Sequence, residues 1–536
     1  MGVMEKTLFR ALLIGAALTL LGSGIASAET TATPSTIAQA TPAASPAPKA
    51  TAQPSAFTYS GFLRSYYFTR TNFPQITKTQ NQASENQAVS LHAGYDFGDG
   101  ISVGGTYLYA NPFNGCEDPA SHIDKTSSCY KGRAFGPLGG TVEDDTLPGY
   151  TMSTLYEAYL QYKDPNAFVR VGDQVINTPW ANASDSRLKP AAFRGGDFSY
   201  NIDKNWTIEA MYMDRWEDRV QSDFVDSTIL TQNGSYPDAG GVSNTGIPSG
   251  EWLTNNGFYY ARAGYMDGGF TGNVYYYGFN QIASAIWADA KYGWKVYGKP
   301  FIALQGGSES NTGTSLVGKI NSQIFGIQGG YTPWSNVDLT VGADFIPVKS
   351  DAITLPSGVA CFSNDMLGTS KAGKWGTSSA TSLPYFLPAS GTPDCTSSTP
   401  GVAGAAATVY YGGWASPYTD SYATDQLFDT SISQGMVDRR SPGSGVKVAG
   451  TFYTAQKQVR LIVSHAWYQY GDNTVGVSPT QETNIDATYF FSKVGKGPYH
   501  GFSLRHRYAE RTQQFTTQYG GLPDFKYNRT QIEYDF

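Results

Sequence analysis

The last stretch of the chain alternates between apolar and polar side chains. Ile532, Tyr534 and Phe536 fall on one side, whereas Glu533 and Asp535 fall on the other. Alternate side chains of a β-strand point to opposite faces of its sheet, so this stretch predicts a strand with one apolar and one polar face. A strand of a soluble sandwich alternates in the same way, but an aromatic carboxy terminus is typical of the strand that closes a barrel in an outer membrane.

From Phe57 onward the same alternation recurs in segments that turn residues separate. We count about eighteen such segments, and an even number is typical of single-chain bacterial barrels. Strands of about eleven residues, tilted by about 40°, cover the apolar thickness of a membrane. The predicted strands are residues 57–70, 85–97, 101–111, 152–163, 166–176, 193–201, 205–214, 257–266, 270–282, 283–294, 300–309, 320–333, 337–348, 444–455, 458–470, 483–493, 499–511 and 526–536.

The connections between these segments are alternately short and long. Membrane barrels place short turns in the periplasm and long loops outside the cell, and with a periplasmic amino terminus this alternation stays in phase to the end. The sequence therefore predicts an all-β fold, a transmembrane antiparallel β-barrel of about 18 strands with long extracellular loops and short periplasmic turns. The short connections include residues 98–100, 163–166, 203–205, 267–269 and 333–336, and the long ones include 112–151, 177–192, 215–256 and 349–443.

The amino-terminal part of the chain has a different composition. Residues 1–28 predict a secretory signal peptide, because Lys6 and Arg10 precede an apolar run and a small-residue cleavage motif. Residues 29–56 are rich in Ala, Pro and Thr, with almost no large apolar groups to bury, so we expect a disordered periplasmic tail. The domain that remains, residues 57–536, is the predicted barrel.

Composition limits the class of protein further. Charged residues are 15% and aromatic residues 14% of the chain, which contains 37 Tyr and 60 Gly. Such an excess of Tyr and Gly is typical of interfacial girdles, tight turns and pore linings. No stretch after the signal reaches the length of about 18 apolar residues that a helical membrane span needs. A net charge of -7 without a Lys/Arg-rich run argues against a nucleic-acid partner.

The histidines give no support for an enzyme. None of the five His has the spacing of a metal site or lies in a nucleophile motif. Ser464 and His465 are adjacent in a predicted strand, so their side chains point to opposite faces and cannot act together. We therefore expect no catalytic residues, no metal and no cofactor. His506 falls on the predicted lipid face, where the sequence offers no explanation for it.

The four cysteines lie in two predicted extracellular loops. In an exported protein they are candidates for two local disulfides, and their spacing matches no zinc pattern. The sequence favours pairing each with its nearer neighbour but does not determine the connectivity. The nearer neighbours are Cys116 with Cys129 and Cys361 with Cys395.

Several motifs make the chain resemble the OprD-type specific porins of Gram-negative outer membranes. The first predicted strand looks like the opening strand of that family, and residues 171–195 contain the family's Gly-Asp-Gln, Asp-Ser-Arg-Leu-x-Pro and Phe-Arg-Gly elements. A Tyr-Tyr-Tyr-Gly strand and the penultimate strand are also similar. The matching segments are residues 61–70, 171–174, 185–190, 193–195, 274–278 and 501–509.

The resemblance implies an eighteen-stranded barrel whose third loop folds inward. That loop is the predicted connection 177–192, in which Asp185, Arg187 and Lys189 are the expected constriction residues. The alternative is that Asp185 and Arg187 only fix the loop to the wall. Both roles are compatible, since ion pairs that hold the loop also shape the opening that selects by size and charge.

Basic residues recur on the predicted strands. A charge that faces lipid near the midplane costs about 2–4 kcal/mol, so these side chains are expected to line the pore as a basic ladder that passes carboxylates along by bidentate pairing. The alternative is that they pair with lumenal acids such as Glu533, Glu209 and Asp173. The ladder candidates are Arg64, Arg170, Arg262, Lys447, Arg460, Arg505, Arg507 and Arg529.

These features predict a passive, substrate-selective porin of the Gram-negative outer membrane for small anionic or zwitterionic solutes such as carboxylates, amino acids and peptides. The alternative is a plugged structural or adhesive barrel that uses its long extracellular loops. Expected partners are the lipid bilayer, lipopolysaccharide, small-molecule solutes and, through Phe536, the outer-membrane assembly machinery. A homotrimer is an open alternative to a monomer.

Overall fold

The computed structural model describes the barrel wall and parts of its loops. Residues 1–55, Asp185 and the four cysteines lie outside the described residues, so the signal peptide, the tail and the disulfides stay predictions. The described residues are 56–74, 79–112, 134–135, 140–142, 151–183, 187–231, 254–316, 319–354, 406–418, 443–454, 456–470, 478–492, 501–512 and 524–536.

Eighteen antiparallel strands form one closed sheet in this part of the chain. Each strand pairs with its neighbours along the chain, and the last pairs with the first. The strands are β1 (Phe57–Pro74), β2 (Thr79–Gly98), β3 (Ile101–Pro112), β4 (Met152–Lys163), β5 (Ala167–Gln174), β6 (Ala192–Asn201), β7 (Trp206–Glu217), β8 (Phe258–Asp267), β9 (Phe270–Phe279), β10 (Ala283–Gly293), β11 (Phe301–Asn311), β12 (Asn321–Trp334), β13 (Val337–Ile346), β14 (Gly443–Tyr453), β15 (Val459–Tyr470), β16 (Ser478–Phe490), β17 (Phe502–Thr512) and β18 (Phe525–Asp535).

Every predicted strand is confirmed, and the largest differences in the strand limits lie at the loop end of the barrel. β1 and β2 extend as far as Pro74 and Thr79, beyond the predicted limits. The long loops also contain short strands that the pattern does not mark. These are Ala134–Phe135 with Gly140–Val142, and a hairpin of Lys349–Thr354 with Ala406–Tyr411.

The barrel closes at the very end of the chain. The amide of Gly61 donates to the carbonyl of Phe536 at 3.0 Å, and the amide of Phe536 donates to the carbonyl of Gly61 at 3.0 Å. A Cβ at Gly61 would come within 2.8 Å of the Phe536 ring, so the glycine lets the terminal ring lie against the first strand. Closure satisfies the backbone groups that a sheet edge would leave unpaired in lipid.

The two faces of the wall are separated as the alternation predicts. On β9, Tyr275 and Tyr277 are buried, whereas Phe270 and Val274 are 37% and 39% exposed. The same parity, carried across the strand registers, places exposed apolar side chains on the outside of the wall all round the barrel. This face therefore forms the belt that contacts lipid.

The short turns have the chemistry that their geometry needs. Gly98, Asp99 and Gly100 all have positive φ, at 84°, 55° and 83°. Gly adopts this region without strain and Asp is among the few other residues that tolerate it. No helix among the described residues is long and apolar enough to cross a membrane.

Candidate functional site

Three loops meet inside the loop end of the barrel. Loop 3 joins β5 to β6 (175–191), loop 4 joins β7 to β8 (218–257), and loop 7 joins β13 to β14 (347–442). Trp180 of loop 3 and Trp414 of loop 7 have ring centroids 4.8 Å apart. They lie 5.0 and 5.7 Å from the ring of Trp287, which faces inward from β10. These rings form a packed cluster against the inner side of the wall, with at most 3% of each side chain exposed, and we call this cluster the aromatic constriction.

Loop 7 is held inside the barrel by hydrogen bonds to the wall. The amide of Ala415 donates to Oε2 of Glu309 at 2.6 Å, and Oγ of Ser322 donates to the carbonyl of Gly412 at 2.6 Å. Residues 412–418 are all buried. The sequence analysis did not assign this segment a site, although its aromatic run Tyr410–Tyr418, set in a polar loop, was a usable signal.

The three loops also bind one another. The hydroxyl of Tyr418 in loop 7 donates to Oδ1 of Asn255 in loop 4 at 2.9 Å. The amide of Ile229 donates to the carbonyl of Pro417 at 3.0 Å, and Ala181 of loop 3 forms a bridge with Tyr418. The three loops therefore form one interlocked unit.

Arg64 fixes loop 3 to the first strand. Its Nη1 atom donates to the carbonyl oxygens of Arg187 and Leu188, at 2.7 and 3.3 Å. Its Nε atom forms an ion pair with Glu533 on β18. Arg64 thus holds loop 3 through the backbone of that loop, while the Glu533 carboxylate balances the charge of Arg64.

Lys189 fixes the same loop to the end of β7. Its Nζ atom lies 2.8 Å from Oε1 of Glu217, and both side chains are at most 1% exposed. Nζ also donates to the carbonyl of Asp218 at 2.6 Å, and Thr154 Oγ1 donates to Glu217 at 2.9 Å. Burial lowers the pKa of Lys189, and the neighbouring Glu217 carboxylate opposes that shift. Lys189 therefore pins loop 3 to the wall through an ion pair, a role that the sequence-based alternative gave to Asp185 and Arg187.

Four of the eight predicted ladder residues lie next to one another on β15 to β18. Arg460 is opposite Thr488, which is opposite Arg505. In the neighbouring row, Asp486 is opposite Arg507, which is opposite Arg529. These two rows of alternate, lumen-facing positions form a patch that we call the basic rows.

One carboxylate pairs with two of the four arginines in the basic rows. Both Arg505 and Arg507 form ion pairs with Asp486, the second through Nε at 3.6 Å from Oδ2. Arg460 and Arg529 have neutral partners instead: Arg460 donates to Thr488 Oγ1 at 3.3 Å, and Arg529 donates to Gln531 Oε1 at 3.0 Å. Within the described residues, neither guanidinium has a carboxylate at ion-pair distance, so the rows carry an excess of positive charge.

The remaining ladder candidates are distributed elsewhere. Arg262 on β8 pairs with Glu209 at 2.6 Å, and Arg170 on β5 donates to Gln161 Oε1 at 2.6 Å. Lys447 is buried on β14. Arg187 is buried in loop 3 and interacts electrostatically with Arg529, which connects the constriction loop to the basic rows. The acid-pairing alternative thus describes Arg64, Arg262, Arg505 and Arg507. Arg460 and Arg529 have no acid partner among the described residues.

Three histidines share one arrangement that explains His506. In each, Nδ1 of the histidine forms a hydrogen bond with Oγ1 of the threonine directly opposite on the next strand. His506 contacts Thr530 at 3.0 Å, and His465 contacts Thr483 at 2.8 Å. A polar ring on the lipid face is therefore satisfied locally, since its cross-strand partner is also polar. The third pair is His92 with Thr106, at 2.8 Å.

Comparison with known proteins places the fold. No model of a known protein family and no curated protein matches the sequence. Among solved structures, OccK8 (OprE) of Pseudomonas aeruginosa is 14% identical, with 90% of this chain and 98% of that chain covered and a TM-score of 0.57. OccAB4 of Acinetobacter baumannii is 12% identical, with the same coverage and a TM-score of 0.58.

A third similar structure is OpdK of Pseudomonas aeruginosa, solved with vanillate. It is 13% identical, with 90% of this chain and 98% of that chain covered and a TM-score of 0.55. These likenesses show the fold: the chain has the eighteen-stranded barrel architecture of the outer-membrane porins to which it is similar. The fold class predicted from the sequence is confirmed.

Proposed function

We propose that this chain is an outer-membrane porin of the OprD type that lets small anionic or zwitterionic solutes diffuse passively through its lumen. The observation that carries the proposal is the composition of the basic rows. Arg460, Arg505, Arg507 and Arg529 lie on four adjacent strands around a single carboxylate, Asp486. Uncompensated guanidinium groups in a narrow lumen of low dielectric constant attract carboxylates.

The chemistry of the rows suits a carboxylate that moves in steps. Guanidinium groups bind carboxylates through two parallel hydrogen bonds, and Arg460 and Arg529 are not committed to acids. The vanillate in the OpdK structure is an aromatic carboxylate, which agrees with this solute class.

Ion selectivity in planar bilayers tests the proposal. We expect reversal potentials in a salt gradient to show anion preference, and the double variant Arg460→Gln with Arg529→Gln to shift them toward cations. Lys526→Gln is the control, because Lys526 is exposed on β18 and pairs with Glu510 at 3.0 Å. Liposome swelling should be faster with small carboxylates than with basic amino acids. Faster entry of the basic amino acids would contradict the proposal.

The second candidate function is a plugged barrel with a structural or adhesive role. The interlocked loops favour it, since Trp180, Trp414 and Tyr418 are at most 2% exposed. A stable open channel in planar bilayers would exclude this candidate, and closed bilayers with correctly folded protein would favour it. Contacts with lipopolysaccharide, recognition of Phe536 by the assembly machinery and a homotrimer stay predictions for either candidate.

A further inference from the structure

An open groove lies on the outer face of the wall across β7 to β11. It has a volume of about 620 Å³ and is lined almost entirely by apolar atoms. Its floor is made of small residues on neighbouring strands, such as Gly272, Ala288 and Gly306, and larger apolar side chains form its sides. The register pairs Val274 with Ala288 and Ala288 with Gly306, on the same parity as the exposed Val274. The groove therefore faces lipid rather than the lumen.

Aromatic rings mark the end of the groove nearest the short turns. Trp206, Tyr265 and Phe270 lie in a row, with centroids 4.8 Å apart for the first pair and 6.2 Å for the second. All three line the groove and stand at the ends of their strands beside the turns. Trp and Tyr prefer the level of the lipid headgroups, so the groove opens at the membrane interface and runs into the hydrocarbon layer.

Three exposed lysines surround this opening. Lys204 lies in the turn that enters β7, and Lys295 and Lys299 lie in the turn between β10 and β11. Among the described residues, none of their ammonium groups has an ion-pair partner. Asp203 beside them accepts hydrogen bonds at Oδ1 from the amides of Asn205 and Trp206 at 2.7 and 2.8 Å and keeps its charge. A second exposed carboxylate, Asp267, lies at the end of β8. The three lysines exceed these two carboxylates by one, so this part of the rim has a net positive charge.

We propose that the groove binds one acyl chain of an anionic phospholipid, with the phosphate group beside Lys204, Lys295 and Lys299. The apolar groove and the basic rim match the two ends of that molecule. The site belongs to the membrane leaflet at the short-turn end, which is the periplasmic end in barrels of this kind. It is separate from the lumen, so it does not depend on the proposed solute pathway.

A second copy of the chain fits the groove less well. The acidic turns that could approach the lysines are engaged within their own chain. Asp164 accepts from the amides of Asn166 and Ala167, both at 2.8 Å, and from the hydroxyl of Tyr162 at 2.7 Å. Asp96 accepts from the amide of Gly98 at 2.7 Å. Phosphate is the anion that the membrane itself supplies to this rim.

Native mass spectrometry of the full-length protein tests the site. The protein is released from nanodiscs that contain equal amounts of phosphatidylglycerol and phosphatidylethanolamine. We expect wild-type protein to retain phosphatidylglycerol preferentially. In the variant Lys204→Gln/Lys295→Gln/Lys299→Gln, that preference should decrease about fivefold for each lysine replaced. Lys457→Gln is the matched control, because Lys457 is exposed in the turn between β14 and β15, away from the groove.

A second variant tests the acyl chain. Ala288→Trp fills the floor, and we expect it to lower retention of both lipids at least fivefold. Val448→Trp on the outer face of β14, where Val448 is 41% exposed, should leave retention unchanged. The lysine variant changes only exposed turns, so it tests the site even if Ala288→Trp fails to fold.

Three outcomes would overturn the proposal. The first is wild-type protein that retains neither lipid. The second is equal retention of the two lipids that the lysine variant does not change. The third is a dimer or trimer mass that Ala288→Trp abolishes, which would assign the groove to a second copy. Phosphatidylglycerol retention that both variants reduce, and both controls leave intact, supports it.

Discussion

Arg507 on β17 lies directly opposite Arg529 on β18, and both side chains are at most 4% exposed. Like charges at directly opposite positions of an antiparallel pair repel. Asp486 balances Arg507 from one side, whereas Arg529 relies on Gln531 and on the ring of Tyr66, 4.2 Å from its guanidinium carbon. The wall therefore contains a buried excess of positive charge at this pair.

A double-mutant cycle measures this repulsion. The free energies of unfolding of Arg507→Gln, Arg529→Gln and the double variant are measured with urea in lipid vesicles. We expect them to give an unfavourable coupling energy of about 0.2–1 kcal/mol between the two arginines. The same cycle on Arg64 and Glu533, which form an ion pair, should give a favourable coupling. A favourable coupling between Arg507 and Arg529 would show that their charges do not oppose each other.

Arg64→Met should release loop 3. The substitution removes the hydrogen bonds to the carbonyl oxygens of Arg187 and Leu188, so we expect larger and noisier single-channel currents. Arg170→Met is the matched control, since Arg170 also lies on the wall but donates to Gln161 instead of a loop. Identical current noise in the two variants would argue against the anchoring role.

Lys189→Met should destabilise the protein by about 3–5 kcal/mol, because it leaves the buried Glu217 carboxylate without its partner. The double variant Lys189→Met/Glu217→Met should recover most of that loss, because neither charge is then buried. Unfolding in urea gives both values. A double variant as unstable as the single one would mean that packing around Lys189, rather than charge, dominates.

The pH dependence of stability should also identify Lys189. Burial lowers its pKa in the folded protein, so in the alkaline range below the unfolded value of about 10.4 the unfolded chain binds more protons. Stability from this group therefore rises with pH in that range. Unfolding midpoints of wild type and Lys189→Met, compared across alkaline pH, measure the contribution of Lys189. We expect the stability of wild type relative to the variant to rise with pH, and a fall with pH would contradict the lowered pKa.

Trp414→Ala should widen the constriction. The ring contacts both Trp180 and Trp287, so its loss removes one of the contacts between loop 7 and loop 3, and we expect higher single-channel conductance. Trp294→Ala is the control, because Trp294 is 44% exposed at the end of β10. Unchanged conductance in Trp414→Ala would place the narrowest point elsewhere.

The basic ladder stays a prediction, and the structure adds the partners of its candidate residues. Arg64 was a ladder candidate with acid pairing as the alternative, and its guanidinium holds loop 3 and pairs with Glu533. Arg460 and Arg529 have neutral partners instead. Alternation decides which face of the wall a side chain occupies, but the register between strands decides its neighbours, and register cannot be read from one strand alone.

Other features of the structure have no periodic pattern in the sequence from which they could be predicted. The buried segment of loop 7 around Trp414 is irregular, and its position depends on hydrogen bonds to Glu309 and Ser322, which are far away in sequence. The lipid-face His506 was unexplained until the register placed Thr530 opposite it. The outer groove likewise exists only because small residues of several strands fall into adjacent rows.

By itself, the sequence determined the strands, their number, the short and long connections and the separation of an apolar from a polar face. These follow from local constraints: a strand alternates with period two, and a wall between lipid and water must be apolar on one side only. Tertiary structure alone decided which arginines share a carboxylate, how three loops interlock and where the outer wall is concave. These depend on contacts between residues distant in the chain, since register and packing are set when the barrel closes.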